Sequence, residues 1–163
     1  MSDLLTIRLR TLVWLILPVF VVAVVPHWLY HRFDQVQPWR WGLWQWVGLW
    51  LIGNGLGLAG WCMNLFNVLG RGTPLPFDPP RQFVAAGPYR FVRNPMMLGA
   101  FLVMVGEALM FRSRVLWVYL AGLMTAAHLF VCLWEEPDLT RRFGQPYRDY
   151  RQRVPRWIPR PRH

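Results

Sequence analysis

The stretch Gly87-Pro88-Tyr89-Arg90-Phe91-Val92-Arg93-Asn94-Pro95-Met96-Met97-Leu98-Gly99 organises the chain. It is polar and basic, yet it lies between two long apolar blocks. Gly87-Pro88 is a turn signal, and Asn94-Pro95 is a second that also suits a helix start, because proline is pre-set for the first turn. Tyr89, Arg90 and Arg93 are then placed at or just outside a membrane surface. Further on, the last apolar block runs into Trp134-Glu135-Glu136-Pro137, two acids expected at a helix end. If that helix returns to its starting side, the acids meet the basic stretch, and their meeting place is the candidate site.

Working outward, the apolar blocks predict an all-α integral membrane protein with four spans in a single domain, 1–163. Leu12 to Tyr30 is long enough to span, with kinks at Pro18 and Pro26 that membrane helices tolerate. Leu43 to Leu69 is the second span. Its Gly53 and Gly57 make a small-xxx-small pattern for close helix contact. Residues 70–95 are a Pro- and Gly-rich connection, and loops of that length without their own structure are mostly functional or disordered. Met96 to Met110 and Val115 to Trp134 are joined by only Phe111-Arg112-Ser113-Arg114, which predicts a helical hairpin. The first arm is about 22 Å long at 1.5 Å per residue, short for a hydrocarbon core of ~30 Å. Glu107 near its far end is expected to pair with Arg112 or Arg114. Residues 135–163 are too polar to span and read as a basic amphipathic tail, with Tyr147, Tyr150, Val154, Trp157 and Ile158 lying on the interface.

Composition agrees. Of 163 residues, 55% are hydrophobic and 11 are Trp, which suits one small membrane domain. All 18 basic residues are arginine, and the formal charge is +10. Such a charge fits nucleic acid or an anionic membrane surface, and the apolar blocks decide for the lipid bilayer as partner and against nucleic acid. With four spans, 14 arginines share one side with both termini and the 70–95 loop, and 4 lie opposite. The positive-inside rule puts that side in the cytoplasm, as in a bacterial inner membrane. Cys62 and Cys132 lie in apolar blocks and read as free thiols. His128, Cys132 and Glu136 share a helix face, but no second cluster completes a metal site, so no metal is expected.

The central stretch, followed by Glu135-Glu136-Pro137-Asp138-Leu139 and by Phe143-Gly144-Gln145-Pro146-Tyr147 through Val154-Pro155-Arg156-Trp157-Ile158-Pro159, resembles the isoprenylcysteine carboxyl methyltransferase family. It is also similar to the related bacterial phospholipid methyltransferases. The resemblance covers about the C-terminal half, Thr73 to Pro159. It implies S-adenosylmethionine as cofactor and a small lipophilic molecule as methyl acceptor. The family's cofactor-binding positions fall on Arg81, Gln82, Phe83, Val84, Tyr89, Asn94, Pro95, Met96, Met97 and Glu135. The chemistry agrees with this placement. Glu135 or Glu136 can hold an ammonium or accept both ribose hydroxyls. Backbone groups of Gln82 to Val84 can read an adenine edge, and Tyr89 can pack on its ring. Asn94 and the N–H groups after Pro95 suit a carboxylate, and Met96 and Met97 supply soft apolar walls.

Two departures bear on the acceptor. Where the family has Arg-His-Pro-x-Tyr, this chain has Arg93-Asn94-Pro95-Met96-Met97, so the histidine and the tyrosine are lost. One turn before the acid pair, the prenylcysteine enzymes carry an arginine for the substrate carboxylate, and here that position is Val131. Leu98, Phe101 and Val131 are therefore expected to line an apolar acceptor pocket. The tail also has the Tyr…Tyr…Val-Pro…Ile-Pro pattern of steroid and sterol reductases. An NADPH-dependent membrane reductase is thus the alternative, and a non-catalytic protein on the same scaffold a third reading. The sequence names neither the catalytic groups nor the oligomeric state.

Overall fold

A computed structural model describes residues 16–34, 41–70 and 84–159. Arg81, Gln82 and Phe83, expected at the cofactor, lie outside the described residues, as does most of the 70–95 loop. The described residues form helices α1 (Ile16–Phe33), α2 (Leu43–Leu69), α3 (Pro95–Met110), α4 (Arg114–Phe143) and α5 (Gln145–Arg153). A short 3-10 turn, Gly87–Arg90, precedes α3.

The helices run alternately up and down. At one end the Ser113 hydroxyl donates to the Asp34 carboxylate, Gln45 Nε2 donates to Met110 O at 3.3 Å, and the Tyr30 and Phe111 rings stand 4.9 Å apart. Ser113 also caps α4 by accepting from Leu116 N–H at 3.0 Å. At the other end lie the Gly87–Arg90 turn, the start of α3, the acid pair and the tail.

Three helices, α1, α2 and α4, are long and apolar enough to cross a membrane; α3 has 16 residues and is shorter. Of the four expected spans, three thus have the length and composition to cross, and α3 is a shorter apolar helix packed beside them. Its length is set by Asn94-Pro95 at the start and by the turn at Arg112, where φ is 50°, at the end. Outward faces are apolar: Trp50, Leu56, Trp61, Val118 and Leu133 are all exposed, as lipid requires and water does not favour.

α3 is held by a seam of glycines on α2. A Cβ added at Gly48 would fall 2.6 Å from Gly106 O, and one at Gly106 would fall 2.5 Å from Gly48 O. Gly55 and Gly99 stand in the same reciprocal relation, at 2.5 and 2.8 Å. Both pairs leave room for no side chain. The seven-residue spacing in each helix keeps the pairs on one seam, and the backbones approach closely enough for Cα–H to carbonyl contact. Gly53 and Gly57, the expected contact pair, meet nothing within 4 Å and face outward. They lie two residues either side of Gly55, about 200° around the helix from it at 3.6 residues per turn.

Two further expectations change. Glu107 makes no ion pair with Arg112 or Arg114 among the described residues, and its Oε2 is buried without a hydrogen-bond partner. α4 does not end at Trp134 but continues to Phe143. A widened π-turn, Val131–Glu135, makes this possible. Pro137 lacks an N–H, and its ring would clash with the carbonyl of Leu133, four residues earlier; the π-turn opens the helix at that place. The same device recurs in α1, where the π-turn Phe20–Val24 contains Val22, four residues before Pro26. Beyond Phe143, Gly144 takes φ 61°, ψ −131°, a conformation open to glycine, and folds α5 back on the bundle.

The seam gives a direct test. Gly55→Val should lower stability by roughly 1–3 kcal/mol through overpacking. Gly53→Ala, on the open face, should leave it unchanged or raise it by up to about 1 kcal/mol through helix propensity. Thermal unfolding in detergent reads both, and equal effects at the two positions would contradict the seam.

Candidate functional site

The centre of the site is Glu136. It is the first residue after the π-turn and is 5% exposed. Its Oε1 accepts from Arg93 Nη1 at 2.7 Å and from Arg156 Nε at 2.7 Å, and its Oε2 accepts from Arg156 Nη2 at 3.0 Å. Arg156 therefore grips the carboxylate with both arms of its fork, and the acid raises the arginine's pKa further above its ordinary range. Three distant stretches meet here: the approach to α3, the end of α4 and the tail.

Backbone bonds reinforce the junction. Arg93 N–H donates to Pro155 O at 2.9 Å, and Asn94 Nδ2 donates to Arg156 O at 3.3 Å. The Tyr150 hydroxyl donates to Tyr89 O at 2.7 Å. Tyr147 and Tyr150 are buried under α5 rather than lying on the interface, and of the tail's apolar residues Ile158 is the one fully turned out. Burial, helped by the Glu136 charge and opposed by Arg93, pushes the Tyr147 phenol up to about 12. Burial also raises the Tyr150 and Tyr89 phenols. All three stay neutral at physiological pH.

The expected cofactor residues divide. Glu136 has both oxygens engaged and works as the tie that holds the tail. Glu135, beside it, has a buried Oε2 with no hydrogen-bond partner. The π-turn matters here, because it changes the angle at which the two neighbouring acids leave α4. Asn94 is buried and spends its amide on the tail, not on its own helix start. The N–H groups of Met96 and Met97, in the first turn behind Pro95, have no carbonyl of α3 to bond. The Tyr89 ring sits edge-on to Phe66 at 5.3 Å, with its hydroxyl bonded to Cys62. It is thus an inner wall rather than an open stacking platform. Val84 is buried just before the turn.

The expected acceptor residues come together in part. Leu98 and Met97 pack on a cluster of Phe101, Met104 and Leu120, and Val131 is 1% exposed at the π-turn. The same cluster receives Trp157 from the tail. The Phe101 and Trp157 rings are 5.8 Å apart, and Trp157 Nε1–H donates to His128 Nδ1 at 3.0 Å. His128 and Cys132 stay within 3.5 Å of each other, while Glu136 turns to the arginines, so the helix-face trio does not converge. Arg156 and Trp157 had no sequence signal stronger than the Val154-Pro155…Ile158-Pro159 frame around them.

Glu136→Gln should cost about 3–5 kcal/mol, because it leaves Arg93, largely buried, and Arg156, partly buried, without a charge partner. Arg156→Ala, with its side chain 28% exposed, should cost less, roughly 1.5–3 kcal/mol. Thermal unfolding gives the two values, and amide exchange over 154–159 should rise in both variants. Unchanged exchange there would show that the tail is held elsewhere.

The comparisons with known proteins bear on this site. Methanethiol S-methyltransferase 2 of Bradyrhizobium diazoefficiens is 40% identical over 73 residues, a stretch that is 44% of this chain and 27% of that protein. The chain thus spans about a quarter of the curated relative it matches. No solved structure matches significantly. The profile of the phospholipid methyltransferase family matches residues 43–146, which take in α2, the glycine seam, the α3 start and both acids. That match runs over more than half of the 163 residues, and it makes methyl transfer, rather than NADPH-dependent reduction, the chemistry of the group: the chain belongs to the phospholipid methyltransferase family of membrane methyltransferases.

Proposed function

We propose that the protein transfers a methyl group from S-adenosylmethionine to a small lipophilic acceptor at the cytoplasmic end of the helix bundle. The observation that carries this reading is Glu135. It is a half-buried carboxylate with one buried, unpartnered oxygen, beside a helix start whose first N–H groups have no carbonyl of α3 and no side-chain cap from Asn94. A zwitterionic cofactor with an ammonium, a carboxylate and a ribose diol suits that pair of needs, so the residues present fit it.

When bound, S-adenosylmethionine supplies an activated methyl on a sulfonium. The chain supplies position and dryness. Glu135 takes the ammonium or the ribose hydroxyls, and Met96 and Met97 offer N–H groups to the carboxylate. Val84 and Tyr89, with Arg81, Gln82 and Phe83, close the adenine side. Pro95 sets the direction of α3. Glu136, Arg93 and Arg156 hold the tail over the site. Leu98, Phe101 and Val131 give the acceptor an uncharged wall, which disfavours prenylcysteine and other carboxylates. The curated relative's name gives a small thiol as its acceptor, and a short apolar thiol fits this wall as well.

Calorimetry in detergent tests the donor site. The protein should bind S-adenosylmethionine and not NADPH, and Glu135→Gln should weaken binding by roughly 10- to 150-fold, the loss of one charge-assisted hydrogen bond. Equal affinity in the variant would remove Glu135 from the site, and preference for NADPH would overturn the reading.

Orientation has its own test. Cysteine introduced at Arg148 should be labelled from the cytoplasm and at Arg112 from outside, as the arginine split implies. The reverse pattern would invert the topology.

A further inference from the structure

Trp157 lies where the acceptor wall is expected. Its ring packs on the cluster of Phe101, Met104 and Leu120, next to Met97 and Leu98. An indole N–H can only donate. Because it donates to His128 Nδ1 at 3.0 Å, that nitrogen carries the lone pair. The single proton of the neutral imidazole is then on Nε2, which faces Cys132 Sγ at 3.5 Å. Trp157 is thus fixed at its ring by Phe101 and at its N–H by His128. Its backbone is fixed as well, since the preceding Arg156 is bonded through both its carbonyl and its guanidinium. A side chain held this way is a rigid wall rather than a flap.

We propose that Trp157 is a specificity-determining residue: it covers the apolar cluster of Phe101, beside the expected acceptor wall of Leu98 and Phe101, and so limits the acceptor to short apolar molecules, with His128 as its positioning residue. This rests on the methyl-transfer reading. The indole fills volume that a longer chain would need. A truncated side chain releases that volume next to apolar groups, where each further methylene that finds room is worth about fourfold in apparent affinity.

The experiment measures kcat and KM for n-alkanethiols of one to ten carbons with labelled S-adenosylmethionine, in one detergent. The wild-type protein should favour the shortest members, with kcat/KM falling as the chain grows. Trp157→Ala should move the optimum to longer thiols, chiefly through lower KM for them, and Trp157→Phe should move it less. His128→Gln keeps an oxygen that can accept the indole N–H and should retain the wild-type length profile, whereas His128→Phe should shift it toward that of Trp157→Ala. If Trp157→Ala fails to fold, Trp157→Phe and His128→Phe carry the test. Measurable turnover with one length profile in wild type and variants would overturn the wall while leaving methyl transfer intact. Cofactor binding without methyl transfer to any thiol in the wild type would overturn the acceptor class and this inference together.

Discussion

The site depends on one carboxylate shared by two arginines. Glu136 is nearly out of water, and it joins Arg93, two residues before α3, to Arg156, near the end of the described chain. Burying an acid there is tolerable because both its oxygens are filled and one partner binds through two nitrogens. The last part of the tail is gathered around this tie: Pro155 and Arg156 lend their carbonyls to Arg93 and Asn94, and Trp157 is delivered to the apolar cluster. Without it, the tail would be a basic segment on a membrane surface. With it, the tail is part of the protein interior.

The neighbouring acids divide the labour. Adjacent in sequence, they fall at a π-turn that Pro137 demands, and they end in different surroundings. Glu136 is neutralised inside the protein. Glu135 keeps an unspent oxygen. A regular α-helix would set the two acids about 100° apart around the axis; the widened turn changes that angle. The distortion therefore serves the site as well as accommodating the proline.

The helical content, the start of α3 at Asn94-Pro95, the hairpin turn and the meeting of the acid pair with the basic stretch were legible in the sequence, because they rest on apolar run length and on the local demands of proline and serine. The continuation of α4 past Pro137 was not, since a proline after two acids reads as a stop, and only a π-turn reverses that reading. Which glycines pack was also hidden. Gly53 and Gly57 have the better-known spacing, but the choice of face belongs to the partner helix, whose own Gly99 and Gly106 select Gly55 and Gly48. Glu107 and the arginines after it are close along the chain, yet the turn sends them apart. The roles of Arg156, Trp157 and His128 depend on contacts across 20 to 62 residues, which no local pattern encodes.

The glycine seam bears on traffic within the membrane plane. Along the seam, the backbones of α2 and α3 approach too closely for even a methyl group at the paired positions. No lipophilic molecule diffusing in the bilayer can part the bundle between them there without separating two helices joined at backbone distance. The α2–α3 flank is therefore a closed shore, and lateral passage to the apolar cluster is left to the flanks that side chains alone seal, where α1 and α4 meet α3.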